Sequence, residues 1–152
     1  MRFAPLFFVF SISLTLSFCS QQKDNVLQQA ATIHNEASAI QAEIEPQIEA
    51  IDSLVAKLTD TKKTTTDVVA AAKIDSTVAA LNAVSASFAN WEDNLIEVPG
   101  MAHDHAEGAA HHHEHKPAPE MSSEQMLAVQ KEIKANIVKI KTDLARVEAM
   151  LK

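Results

Sequence analysis

Apolar side chains return at steps of three and four residues over three long stretches, and this spacing constrains the fold more than any other feature of the chain. The first stripe is Ile33, Ala37, Ile40, Ile44, Ile48, Ile51, Val55 and Leu58; the second is Ile74, Thr77, Leu81, Val84, Phe88, Trp91 and Leu95. The third, Met126, Gln130, Ile133, Ile137, Ile140, Leu144, Val147 and Leu151, alternates four and three without a fault, as a heptad seam does. Such stripes put apolar groups on one side of a helix and leave the other side to water. No segment alternates with period two, so strands are not expected. The pattern predicts an all-α fold, an antiparallel three-helix bundle of helices of similar length.

Punctuation residues divide the stripes. Asn25 with Gln28 reads as the first N-cap, and Pro46 lacks the amide a helix interior needs, so helix 1 is expected to kink there. Thr64 with Asp67 resembles a capping box opening helix 2, and Val98-Pro99-Gly100 ends it. Ser122 with Gln125 caps helix 3. Pairing Leu58 with about Thr66 in the first hairpin sets His34 level with Asn90 and Trp91.

Between helices 2 and 3, residues 98–121 form a long connection, expected to be disordered, that contains HDHAEGAAHHHEH at 103–115. Six of the seven histidines lie there: His103, His105, His111, His112, His113 and His115, interleaved with Asp104, Glu107 and Glu114. Neutral imidazole binds zinc, copper(II) and nickel(II), and carboxylates supply an oxygen ligand or orient a histidine. Histidines two apart point the same way in an extended strand and can chelate one ion. Gly108-Ala109-Ala110 lets the two clusters fold onto each other. No zinc-finger or HExxH spacing is present, so the expected metal is divalent, exchangeable and not narrowly selected. Met101 and Met121 flank the segment and read as packing residues.

The first twenty residues, MRFAPLFFVFSISLTLSFCS, carry Arg2, an apolar run from Phe3 to Leu16, and Cys19, the only cysteine. A charged start and a short apolar core followed at once by polar sequence describe an export signal. LSFC at 16–19 resembles the lipobox of bacterial lipoproteins, which implies removal of residues 1–18 and lipidation of Cys19; Phe18 stands where that motif usually has a small residue. By the same resemblance Ser20 favours the outer membrane, and Gln22-Lys23-Asp24 resembles the short tags that direct lipoproteins to the cell surface. The expected organisation is a signal peptide over 1–18, a lipid-anchored tether over 19–24 and one helical domain over 25–152. Without Arg2 the chain has 12 basic and 20 acidic residues, which argues against nucleic acid as a partner.

His34, the seventh histidine, and Trp91, the only tryptophan, are expected to lie together at the edge of the core, and they are accessory candidates for the metal site. IHNE at 33–36, the helix break near Pro46 and LNAVSASFANW at 81–91 resemble a group of small exported bacterial helical proteins labelled "viral A-type inclusion protein". His34, Glu36 and Trp91 are the matching positions, and Asn35 departs from the acidic residue usual there. The resemblance implies a helical exported protein and no mechanism.

Together these features point to an envelope lipoprotein, anchored in the outer membrane at its periplasmic face or the cell surface, that binds zinc, copper or nickel through its histidine-rich loop. It would buffer the metal, protect the cell or deliver ions to a transporter. The alternative is a structural or interaction protein in which the third seam engages another helical protein and the loop is a spacer. No nucleophile motif, phosphate loop or rigid open metal site is present, so an enzyme is not expected.

Overall fold

A computed structural model describes the backbone of residues 16–100 and 120–152 and the side chains of 23–100 and 120–152. The described chain is all-helical, with α1 at Leu16–Glu49, α2 at Ile51–Thr64, α3 at Val68–Asp93 and α4 at Ser123–Met150, and no strand. The signal peptide expected over 1–18 lies mostly outside these residues, as does the histidine segment at 103–115. Cys19 belongs to the helical backbone of α1.

Burial resolves each stripe into a strict heptad seam. On α4 the buried positions are Met126, Gln130, Ile133, Ile137, Ile140, Leu144 and Val147, as the spacing requires. On α3 and its continuation they are Thr77, Leu81, Val84, Phe88, Trp91, Leu95 and Val98. On α1 and α2 the seam corrects the expected stripe: it runs Ala30, His34, Ala37, Ile44, Ile48 and Ile51, so His34 takes the inward position and Ile33 is only half-buried. Gln41 fills the one remaining seam position and is also half-buried. Each fully buried Ile or Leu adds about 1.5–3 kcal/mol relative to an exposed one.

Cross-helix bonds fix how the seams meet. Nδ1 of His34 lies 3.1 Å from Oε1 of Gln130, 96 residues on. Matching the α1–α2 and α4 seams position by position gives the same offset throughout, from Ala30 with Met126 to Ile51 with Val147. Two surface ion pairs flank this interface, Lys134 with Glu36 and Lys141 with Glu43, both at 2.6 Å and both 98 residues apart. On α3, Trp91 Nε1 donates to the Ile133 carbonyl at 2.9 Å, and Gln130 Nε2 donates to the Ile96 carbonyl at 2.6 Å. Gln41 Nε2 reaches Glu92 at 3.0 Å, so the hairpin register differs from the one expected: His34 stands beyond Trp91, toward Val98.

The breaks fall a little away from where the punctuation suggests. Helix α1 passes through Pro46, which lies on the exposed side, and the interruption comes one turn later at Ala50. Ala50 keeps right-handed helical angles, φ −75° and ψ −12°, and its carbonyl accepts from Leu54 at 3.1 Å, so the seam continues across it. Asn25 caps nothing, because the helix already runs from Leu16; its side chain accepts from Gln29. The expected tether over 19–24 is therefore helical. Asp67 caps α3 alone, accepting from the Val69 amide at 2.8 Å, and Thr64 is the last residue of α2. Helix α3 ends at Asp93, five residues before the Val98-Pro99-Gly100 stop, while Leu95 and Val98 still pack inward from the chain beyond it. Ser122 and Gln125 do form a capping box.

Unequal lengths follow. At 1.5 Å per residue α1 is about 51 Å long, α3 about 39 Å and α4 about 42 Å. With α4 ending at Met150, opposite the start of α2, most of the α2–α3 hairpin extends past it. There the seam residues Val55, Leu58 and Ile74 are only half-buried, and Val68 and Val69 are exposed. Length and composition alone would let α3 cross a membrane, but its large side chains Leu81, Val84, Phe88 and Trp91 face the core.

Candidate functional site

A small apolar cluster, separate from the main core, closes one end of the molecule. Ala30, Val98 and Met126 are its buried centre, and Leu27, Ala31, Ile96, Met121 and Leu127 pack around them. This joins the N-terminal part of α1, the chain leaving α3 and the chain entering α4. Both ends of the segment that carries the histidines are thus fixed on one patch, Val98 on one side and Met121 on the other. Gly100, at the end of the described stretch, has φ +81° with nothing within 4 Å of where a Cβ would stand, a left-handed backbone conformation that favours glycine. Met121 packs as expected; Met101 lies outside the described residues.

The proposed ligands His103, His105, His111, His112, His113, His115, Asp104, Glu107 and Glu114 all lie outside the described residues. Among the described residues no group of three or more His, Cys, Asp or Glu side chains is placed to hold a metal ion.

One layer above the end cluster lies a buried polar relay that spacing alone does not reveal. Gln130 is fully buried and His34 is 8% exposed. The Ile96 carbonyl can only accept, so the Gln130 atom 2.6 Å from it is the amide nitrogen, and the side chain's oxygen faces the imidazole. His34 must then donate from Nδ1. In its neutral form the ring's lone pair is on Nε2. The Ile96 carbonyl is available because α3 has already ended, so the early helix stop and the buried glutamine explain each other. Among the described residues every buried side-chain nitrogen and oxygen has a partner.

Trp91, expected beside His34, docks one turn further along α4. Its ring lies 6.1 Å from that of Phe88, and its N–H shares the Ile133 carbonyl with the helix. In this arrangement each of the two accessory candidates makes a contact between helices, His34 with Gln130 and Trp91 with the Ile133 carbonyl. The signal for this was present: His34 stands three residues from Ala37 and seven from Gln41, in step with a seam that the neighbouring isoleucines obscure.

Hydrogen bonds at the Glu124 backbone and from Ser122 hold the Glu124 carboxyl below the usual range, burial opposes this, and the Lys23 ammonium adds to the lowering. Lys23 is thus close enough to act on the start of α4, which again sets the beginning of α1 beside the end of the histidine segment.

No protein-family model, curated protein or solved structure matches the chain.

Proposed function

We propose that the protein is an envelope lipoprotein that captures divalent transition metal through the side chains of residues 103–115. The observation that carries this reading is the end cluster. By fastening Val98 and Met121 to one patch, the fold joins the ends of the histidine segment before any ion arrives, so part of the loop-closure entropy is already met. Chelation then has only the intervening residues to order. The three seams are read as an antiparallel three-helix bundle, and the segment as an exchangeable set of imidazole and carboxylate ligands.

Placement supports the same reading. Leu27 and Lys23, which act on the end cluster and on Glu124, lie within two turns or so of Cys19 along α1. With Cys19 lipidated in the outer membrane, the histidine segment stands at the membrane-proximal end, and the helices serve as a stiff body on the anchor. A transporter or channel in that membrane is the natural recipient or donor of the ion. The α4 seam, the surface named for the interaction alternative, is buried within the chain, which favours the metal-capture reading.

Zinc, copper(II) and nickel(II) titrated at pH 7.4 into residues 20–152, and into the same chain lacking 103–115, test the reading. The intact chain should bind with Kd of about 1 μM or tighter, about 8 kcal/mol. Binding should vanish below about pH 6 as imidazoles protonate. Equal behaviour of the two chains, with circular dichroism showing both folded, would remove metal capture as the function.

A further inference from the structure

Helix α3 is the most apolar of the four helices, yet most of its residues stand outside the core. Opposite its buried seam runs a second heptad series, Val69, Ala72, Ser76, Ala79, Ala83 and Ala86, every member exposed. Between Asp75 and Glu92 the helix carries no charge. At the start of this face Val68 and Val69 are 80% and 78% exposed, the two most exposed large apolar side chains among the described residues. Its far end, about 26 Å along, offers the small and exposed Ala86 and Ala89.

We propose that this face joins a second copy of the chain, packed antiparallel across a twofold axis between residues 77 and 78. In that register Val69 meets Ala86 of the second copy, Val68 meets its Ala89, Ala72 its Ala83 and Ser76 its Ala79, and the axis repeats each contact. The match of large to small selects this occupant. The exposed valines stand where the other copy is low, and alanine along the middle lets the two helices approach to about 8 Å, the lower end for packed helices. Charge selects the antiparallel sense. Parallel packing would set Lys73 beside Lys73, whereas antiparallel packing separates the two by about 14 Å along the axis; Lys62 neutralises Asp75 within each copy. One pair of helices in contact stands at the low end of specific interfaces, about 1,200 Å² in total, and both copies are acidic. The dimer is therefore weak, and salt strengthens it by screening the net charge.

The test uses residues 20–152 with a chelator present, so that no metal bridges two copies. Sedimentation equilibrium up to about 500 μM should give a monomer–dimer equilibrium with Kd of about 10–100 μM at 0.15 M salt. Val68→Ser/Val69→Ser should raise Kd at least about tenfold, as should Ala79→Glu, which brings two carboxylates together near the axis. Val138→Ser, at an exposed valine of α4, should stay within about twofold of the parent. Circular dichroism confirms that each variant is folded. The register is read by cross-linking, since residues 20–152 contain no cysteine of their own. Val69→Cys/Ala86→Cys should oxidise to a covalent dimer, and neither single variant should, because each position lies about 26 Å along the axis from its own copy. A chain that stays monomeric at about 500 μM would overturn the proposal, as would α3 variants that dimerise like the parent. Single-cysteine variants that cross-link as readily as the double one would also overturn it. Without metal in any arm, the outcome is independent of metal capture.

Discussion

Replacing Gln130 with leucine removes two hydrogen bonds at once, the one it accepts from His34 at 3.1 Å and the one it donates to the Ile96 carbonyl at 2.6 Å. Leucine is close in volume, so the loss is polar rather than steric. A buried donor or acceptor left unpaired costs about 1–3 kcal/mol. Two such groups, less about 1 kcal/mol from the added apolar burial, leave a net loss of about 1–5 kcal/mol. For a domain of this size that lowers Tm by about 3–20 °C. The double variant His34→Leu/Gln130→Leu removes the stranded imidazole donor and leaves only the Ile96 carbonyl, so it should recover about 1–2 kcal/mol over Gln130→Leu. Urea unfolding followed by circular dichroism and Trp91 fluorescence measures all three chains. A Gln130→Leu chain within about 0.5 kcal/mol of the parent, or a double variant no more stable than the single, would refute the relay as a coupled unit.

Trp91→Phe keeps the ring against Phe88 but loses the N–H that reaches the Ile133 carbonyl; unfolding should show a loss of about 1–2 kcal/mol, and no loss would mean that the bond is not felt. Pro46→Ala restores an amide on the exposed face of α1, where a proline costs about 3 kcal/mol, so the variant should melt higher, and a lower Tm would show that the proline shapes the packing. Lys139, hydrogen-bonded to Asp143 at 2.6 Å, holds that carboxyl below the usual range, burial opposes, and the Lys139 and Arg146 charges add to the lowering. A depressed folded value means that its stabilisation is present above the unfolded value and is lost as pH falls through the folded one; Asp143→Asn and the parent should differ at neutral pH and converge in acid, and an Asp143 carboxyl titrating in the ordinary range by NMR would contradict this.

Helical class and the α4 seam could be read directly from spacing, because four-three alternation leaves one inward face and no competing one. The α1 seam could not. Ile33, Ile40 and Val55 are as apolar as the true core positions, so composition favours them, and only the offset imposed by α4 turns His34 inward. Helix ends were legible where a side chain caps locally, as Ser122 does with Gln125, and not where tertiary packing decides. Asn25 would make a good cap, yet helical backbone upstream leaves it no free amide. Val98-Pro99-Gly100 is a strong stop, yet α3 ends sooner, at a point where the Ile96 carbonyl can be taken by a side chain from another helix. The histidine segment lies outside the described residues, so its proposed metal chemistry rests on spacing alone, imidazoles at i, i+2 being able to face one ion in extended chain.

Apolar matching by itself leaves the register of α1–α2 against α4 undecided. A slip of one heptad, from an offset of 96 to 89, would set Leu144 opposite Val55 and Val147 opposite Leu58, apolar against apolar once more. It would also set Gln41 opposite Gln130, a pair able to bond to each other. What the slipped register cannot satisfy is the rest of the polar set: His34 would face Ser123 at the helix start, and Gln130 would move a full two turns, about 10 Å, from the Ile96 carbonyl. A single buried polar layer commonly fixes register in paired helices at some cost in stability. Here the layer does so next to the end cluster, and the two are linked: the register that joins His34 to Gln130 is also the one that brings Ala30 to Met126 and Val98. The same buried glutamine therefore decides where the histidine segment is fastened.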